Sequence, residues 1–478
     1  MKRILWFRRD LRIDDNSLLS LGGEVLPIFI FDTNILSKLP KGDKRVSFIF
    51  SQVLHLKEAL KEKGLELKLF YGNPIDIFIN LSREGFDEVA ASGDYDSYAR
   101  KRDLEVSHIL PFNAINDTYI FQPNEILKAD KTPYLVFTPF YNRAKTLFNQ
   151  KHLHEYQFVK QDLYRTDYAG ILEYTQTKDK LHTIDITSIG FEKMPLAITE
   201  SHEKLATLEK KLENYKHNRD FPCLDSTSHL SFELRFGTLS IRQVLRYLSK
   251  QKNKGIDTEP FFRQLIFRDY YAYLLYHFPH LETENYKYTF KGIDDISKYK
   301  SFTQAKTGVP IIDAGVRELL QTGDMHNRVR MICASFFTKD LLLPWQWGEK
   351  FFAQYLLDYD AASNILSWQW SAGTGVDPQP YFRIFNPYLQ SKKFDSKALY
   401  IKRWLPELNM IDAKIIHNES TLLKQQITGY PQPIVNHMFA SKQALEYFKY
   451  SLIKTKKKHV TSNFYLDASQ ALVQSKDK

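Results

Sequence analysis

Cysteine is nearly missing from this chain: Cys223 and Cys333 stand alone among 478 residues. That excludes a disulfide framework and any cysteine-built zinc or iron–sulfur site, and it fits a reducing, cytoplasmic setting. Long apolar runs are missing as well. The N-terminus, MKRILWFRRD, flanks a four-residue apolar stretch with charges, so neither a secretion signal nor membrane insertion is expected. No Gly-x-Gly-x-x-Gly follows any strand pattern, which removes ordinary dinucleotide binding from the candidates. No metal is expected. Hydrophobic content of 43% and charged content of 26% also exclude a largely disordered or collagen-like chain.

What is present points elsewhere. The length exceeds one hydrophobic core and predicts at least two domains. Lysine and arginine number 66 against 56 acidic residues, and the net +10 favours a polyanionic partner, nucleic acid first. Thirty-four Phe and 28 Tyr suit a large core or stacking on planar ligands, and composition does not choose between these.

Short apolar runs at 3–7, 25–31, 66–70, 88–91 and 118–121 read as strands. Between them, 44–63 carries Val46, Ile49, Phe50, Val53, Leu56 and Leu60 at helical spacing. This alternation predicts a parallel α/β sheet over about 1–130, with ligands at the strand ends. Residues 131–200 lose periodicity, especially after Asn149, and read as a linker wrapping the surface. From 201 to about 450 helix signals dominate. A helix over 261–278 is opened by Pro260 and stopped by Pro279, and its aromatic circumference predicts burial on several sides. Near 325–343 a second helix carries the stripe Val329, Ile332, Cys333, Phe336 and Phe337, with Asn327 and Met331 on the opposite face. Residues 451–478, with Lys454, Lys456, Lys457 and Lys458, read as a basic, solvated and partly disordered tail.

Three groups of residues are candidates for chemistry. Four of the six tryptophans, Trp345, Trp347, Trp368 and Trp370, fall in one window with Asp358 and Asp360. Any one of them is an ordinary core residue, but Trp368 and Trp370, two apart on a helix, point about 200° apart, so one can face a cavity. Thr227, Ser228 and Ser231 precede helical sequence, where hydroxyls and free N–H groups suit a phosphate as well as a plain cap. Arg219, Arg235, Arg242, Arg268, Arg328, Arg330 and Arg383 are interleaved with aromatics, as a phosphate-binding surface needs.

Jointly these segments resemble the photolyase/cryptochrome family, most nearly its bacterial class I cyclobutane pyrimidine dimer enzymes. The likeness runs through WFRRDLRIDDN at 6–16, YDSYARKRD at 95–103, RDFPCLDSTSHLS at 219–231, KTGVPIIDAGVREL at 306–319 and GDMHNRVRMICASFFTKDLLLPW at 323–345. DYDAASNILSWQWSAGTGVDPQPYFRIFNPYLQSKKFD at 358–395 is its most specific stretch. The resemblance implies an N-terminal α/β, Rossmann-like antenna domain followed by an all-α FAD-binding domain. It implies a monomer that acts on ultraviolet-damaged DNA with blue light. It also implies a second, light-harvesting chromophore, methenyltetrahydrofolate or a deazaflavin, on a framework that flavin antennae share. By motif position, Tyr215, Thr227, Ser228, Leu230, Ser231 and Phe261 resemble flavin contacts. Arg330 and Asp358 resemble the ion pair beside the flavin ring, with Asp360 nearby, and Asn364 takes the place facing flavin N5, where an uncharged amide tunes redox state. Trp368 and Trp345 resemble the first two carriers of the electron chain that reduces the flavin.

For substrate, Arg219, Arg268, Asn327, Arg328, Met331, Trp370, Arg383 and Gln390 match positions that meet DNA or the extruded lesion, whose poor stacking makes flipping cheap. Six-four photolyases carry His at the positions of Asn327 and Met331, so this pair favours cyclobutane dimers. Gln264 and Phe267 depart from the bacterial pattern of Glu and Trp, and lower repair efficiency is expected from them. The outermost electron-chain tryptophan is also missing near Gly292, so the expectation is either an exit through Tyr286, Tyr288 or Tyr299 or poor photoreduction. The alternatives are a cryptochrome-like flavin photoreceptor and a six-four photolyase.

Overall fold

Parallel strands buried on both faces are written as continuous apolar runs, and the first part of the chain follows that rule. Strands β1 Lys2–Phe7, β2 Glu24–Asp32, β3 Lys68–Gly72, β4 Glu88–Ser92 and β5 Phe112–Ile115 pair in the order β3-β2-β1-β4-β5. The register sets Ile4 between Leu26 and Val89, Ile30 beside Phe70, and Ala91 beside Ala114. Alternate side chains then build two cores. Leu5, Phe7, Val25, Phe29 and Phe31 face the helix Lys44–Glu62 with its Val46, Phe50, Val53, Leu56 and Leu60. Ile4, Trp6, Leu26, Ile28 and Ile30 face the helix Pro74–Ser82 with its Ile77, Phe78 and Leu81. Asp43 and Asn73 start these helices by accepting from the backbone N–H groups of Arg45 and Ile75.

The computed structural model describes residues 1–166, 185–195 and 201–452. Contacts divide them into two compact units, one drawn from 1–219, 225–279 and 354–363, the other from 220–224, 280–353 and 364 onward. Two strand expectations need correction. The fifth strand is Phe112–Ile115, not 118–121. Tyr119, Ile120 and Phe121 are buried, but the N–H groups of Ile120 and Phe121 are taken by the Asp269 carboxylate at 2.9 and 3.0 Å rather than by a strand. The third strand lies two residues later than its apolar run suggested, at Lys68–Gly72.

Parts of the expected linker are fastened to the first unit. Asp162–Leu163 pairs with Glu24 and Val25, and Ile186, Ile189 and Phe191 are buried in the core that β2 lines. Its remaining stretches, 167–184 and 196–200, and the basic tail from 453 on, lie outside the described residues.

Helix Glu259–His277 belongs to the first unit and carries Pro260 in its first turn, as expected. It buries Phe261, Leu265, Ile266, Tyr270, Tyr273, Leu274 and Leu275. The same unit holds a buried ionic network. Asp117 is bonded by Arg12 at 2.5 Å and Arg242 at 2.6 Å, and Asp15 by Arg242 and Arg246, both at 2.9 Å.

Among its described residues the second unit has no strand. Its helices include Pro310–Thr322, Asn327–Ser335, Trp345–Tyr355, Pro387–Phe394, most of Ala361–Ala372 and a helix over 437–452. Helix Asn327–Ser335 runs into a π-turn, Phe336–Asp340. The stripe Val329, Ile332, Cys333, Phe336 and Phe337 is buried, as its spacing predicts.

Burial alone would raise the Asp117 carboxyl, but the Arg12 and Arg242 guanidiniums outweigh it and hold the group below the usual carboxylate range. Its stabilising contribution is therefore present above the ordinary Asp value and is lost as pH falls through the lower folded value. Asp117→Asn strands buried guanidinium charge and is expected to cost about 3–5 kcal/mol of unfolding free energy. Urea denaturation measures this, and a loss below about 1 kcal/mol, the worth of an exposed pair, would show the network to be idle.

Candidate functional site

In the first unit, Tyr215 sits on the short helix Tyr215–Asn218 with its ring edge-on to Phe261, centroids 5.2 Å apart, and Arg219 follows with its guanidinium 5.9 Å from the Tyr215 ring. The chain then reaches Thr227 and Ser228, both half-buried, and buried Leu230 at the start of helix Ser231–Phe236. The Ser228 hydroxyl accepts from the Leu230 N–H at 3.3 Å, and Lys211 reaches the Thr227 carbonyl at 2.9 Å. His229 between them has φ 51°, which turns the backbone sharply into the helix. Two hydroxyls and a lysine thus gather beside a helix start, a setting in which an anionic group is at home.

Asp360 is buried in the same unit. Its Oδ2 takes Arg9 at 2.9 Å and its Oδ1 accepts from the Ser363 N–H at 3.0 Å, capping the helix Ala361–Ala372. Burial opposes ionisation, but Arg9, Arg235 and Arg268 outweigh it and hold the carboxyl well below its ordinary value. Arg9 also binds Asp94 at 2.7 Å. Arg268 donates to the carbonyls of Thr118 at 2.7 Å and Leu234 at 2.8 Å. Phe267 lies flat on Phe137, centroids 3.4 Å apart and planes 6° apart, with Arg263 capping the Phe137 ring at 4.8 Å. Gln264, one turn earlier, makes only a long 3.4 Å contact to the Pro260 carbonyl.

In the second unit, Asn364 is 8% exposed. Its Nδ2 donates to the Glu349 carbonyl at 3.1 Å and the Glu349 carboxylate at 3.0 Å, which fixes the amide and turns its oxygen the other way. One turn on, Trp368 is buried edge-on against Phe337 and Phe352 at 5.4 and 4.9 Å. Its ring lies against Gly348, where a Cβ would fall inside the indole. Trp345 is buried and donates from Nε1 to Asn285 Oδ1 at 2.8 Å. Near the expected third tryptophan, Gly292 has φ 79° and a Cβ there would come within 2.5 Å of Pro344 N, so no side chain fits. Of the three tyrosines, Tyr299 meets Trp347 at 5.4 Å and Tyr288 stacks on Phe290 at 5.1 Å, while Tyr286 stacks on His280 at 6.4 Å.

Asn327 and Met331 share one face as their spacing predicts, with Asn327 exposed and its Nδ2 3.7 Å from Met331 Sδ. Arg328 pairs with Asp220 at 3.0 Å and lies 4.4 Å from the Phe394 ring. Arg330 pairs with Asp324 at 2.9 Å and donates to the Met325 carbonyl at 2.6 Å. Trp370 and Gln390 are half-exposed and Arg383 is exposed. Sequence reasoning missed Glu349, Asn285 and Gly348 in this unit and Arg9 and Phe137 in the first. Only Gly348 left a signal, being a glycine inside a helix, which marks a close approach.

The family model for DNA photolyase matches residues 3–157, and that for the FAD binding domain of DNA photolyase matches 261–450. The deoxyribodipyrimidine photo-lyase of Alkalihalophilus pseudofirmus is 33% identical, across 94% of this chain and 98% of its own. A bacterial class III photolyase from Agrobacterium tumefaciens superposes with TM-score 0.80 at 31% identity, covering 94% of this chain and 97% of that one. An archaeal photolyase from Sulfolobus tokodaii, solved with two FAD molecules, gives TM-score 0.79 at 30% identity over 94% and 100%. The chain belongs to the DNA photolyase family: an N-terminal parallel α/β domain followed by a largely helical FAD-binding domain. Among the described residues no helix is long and apolar enough to cross a membrane.

Gly348→Ala is expected to push Trp368 out of place, costing about 1–3 kcal/mol and shifting the tryptophan emission. Unchanged stability and fluorescence would mean that the close approach at Gly348 is not a constraint.

Proposed function

We propose that the protein is a deoxyribodipyrimidine photo-lyase that repairs cyclobutane pyrimidine dimers in ultraviolet-damaged DNA, acting as a monomer in the cytoplasm, where its free cysteines stay reduced. The observation that carries this reading is the Asn327–Met331 face. Opening a six-four lesion needs an acid–base group that moves a proton, and neither an amide nor a thioether titrates near neutral pH. Opening a cyclobutane ring needs only an electron lent and returned. An exposed amide beside a polarizable thioether can bond and pack against a neutral dimer without protonating it.

Reduced FAD, when bound and excited by blue light, would supply that electron and take it back, with no net redox change. The residues present fit the group. Asn364, its NH₂ held by Glu349, presents its carbonyl as a fixed acceptor suited to an N–H such as that of reduced flavin N5. Thr227, Ser228 and Ser231 would take the pyrophosphate, with Tyr215 and Phe261 alongside, and Arg330 with Asp358 would flank the ring. Trp368 and Trp345, buried and dry, would relay electrons to the flavin. Arg219, Arg328 and Arg383 would meet the backbone, Trp370, Gln264 and Phe267 the lesion, and Gln390 the flanking strand. The surplus of 10 positive charges makes binding fall steeply with salt. A methenyltetrahydrofolate or deazaflavin antenna completes the proposal. The class I placement rests on the sequence motifs alone.

Chemically reduced protein mixed with ultraviolet-irradiated oligothymidylate is expected to restore thymine absorbance under blue light and not in the dark. No recovery with bound FAD intact would overturn the reading in favour of a photoreceptor or a six-four lesion. Asn364→Asp, which sets a second carboxyl beside Glu349, is expected to change the spectrum that the bound flavin reaches under light. An unchanged spectrum would remove Asn364 from the flavin.

A further inference from the structure

Lys339 is a buried cation that nothing in the proposed repair chemistry uses. Its side chain is 0% exposed, among the largest fully buried groups of the protein. A buried ammonium normally finds a carboxylate. Its sequence neighbour Asp340 is paired instead with His437 at 2.5 Å, and the contacts recorded for Lys339 Nζ are two carbonyls, Ala372 O at 3.0 Å and Tyr381 O at 3.3 Å, and the Phe448 ring at 4.3 Å. The π-turn Phe336–Asp340 turns Lys339 and Asp340 both inward, and such turns recur at functional sites.

The two carbonyls differ in origin. Ala372 ends the helix Ala361–Ala372, which carries Asn364, Trp368 and Trp370, and a cation is favoured at a helix C-terminus. Tyr381 lies at the far end of the loop over 373–383, two residues before exposed Arg383. One ammonium therefore ties the start of that loop to Tyr381, close to Arg383. The loop is also tied across its base by the Gln379 N–H to the Trp370 carbonyl at 3.1 Å, and Gln379 Nε2 reaches the Arg383 carbonyl at 2.5 Å. Gly373, at φ 85°, starts the loop in a backbone conformation that favours glycine, with Nζ in ordinary contact range of where a Cβ would stand.

We infer that Lys339 is a positioning residue for damaged-DNA binding, its protonated amine clamping the 373–383 loop so that Arg383 and Trp370 keep the spacing that the lesion requires. This rests on the proposed function, in which those two residues meet DNA. Charge-assisted bonds are about twice as strong as neutral ones, so the clamp loosens when the amine is deprotonated. Burial pushes Lys339 down to about 7, which brings that loss within reach of ordinary conditions. The other titratable or charged groups on the elements around it are Asp340 on its own turn, Lys287, Tyr288 and Lys291 on the segment 287–292, Asp377, Tyr381 and Arg383 on the loop, and His437, Lys442, Glu446, Tyr447, Lys449 and Tyr450 on the helix 437–452. Helix Ala361–Ala372 carries none. Burial is the cause of the Lys339 shift; none of these charges contributes to it.

The test is binding of flavin-loaded protein to an ultraviolet-irradiated oligonucleotide, against the unirradiated one, at constant salt from about pH 6 to about pH 9. Wild-type affinity for the irradiated strand is expected to fall about tenfold across that range, the worth of one net hydrogen bond. Lys339→Met should be flat at the weak, high-pH level. Lys339→Arg keeps its charge and should be flat at the strong, low-pH level. Far-ultraviolet dichroism and flavin content show that each variant folds, and if Lys339→Met does not, the flat profile of Lys339→Arg decides. A wild-type inflection that persists in Lys339→Arg, or Lys339→Met binding as wild type does at low pH, overturns the inference alone. Wild-type protein with no preference for irradiated DNA overturns the functional reading and the inference with it.

Discussion

The close approach of two helices at Gly348 is the constraint on which the second unit's candidate site depends. A glycine inside helix Trp345–Tyr355 costs about 1 kcal/mol relative to alanine. Here it removes the one Cβ that would occupy the Trp368 ring. Because the backbones can then come together, the next residue, Glu349, reaches Asn364 with both its carbonyl and its carboxylate. Packing and polarity are thus set by neighbouring residues on one helix: Gly348 seats an indole in a dry aromatic box, and Glu349 dictates which end of an amide is offered outward. A larger residue at 348 would disturb both.

Buried charge follows two different rules in this protein. Around Asp117, Asp15 and Asp360 in the first unit it is compensated charge for charge, and at Asp360 several guanidiniums outweigh the cost of burial. Such networks specify geometry more than they add stability. Lys339 obeys the other rule. It is held by carbonyl dipoles and a ring face, which satisfy its donors without neutralising it, and its affinity for the proton falls accordingly. The first arrangement is insensitive to pH near neutrality, and the second is not.

Periodicity exposed much of the fold because burial writes it directly. The strands buried on both faces, the stripe of helix Lys44–Glu62 and the Val329–Phe337 face were all legible. The failure at 118–121 has a definite cause: apolar residues there are buried by a loop whose N–H groups find a side-chain carboxylate 148 residues away, and an apolar run does not record its hydrogen-bond partner. The strand β5 itself, FNAI, is short and only partly buried because it is an edge. At the site, the residues that stand in recognisable motifs were found, whereas Glu349, Asn285 and Phe137 act only through a partner distant in sequence. Asn285 is ordinary until the Trp345 N–H is seen to need an acceptor.

The same distinction bears on Gln264 and Phe267. Taken one position at a time, phenyl for indole is a smaller stacking face and amide for carboxyl a weaker proton donor. Phe267, however, is one layer of a stack: Phe137 lies flat against it, and Arg263 caps Phe137 and Tyr141 at 4.8 and 4.6 Å. An indole in its place would have to displace a ring already in full contact, so the smaller residue and its neighbour are one packing solution. The stack also carries a guanidinium, which draws the ring electrons toward it and adds positive charge to the aromatic face.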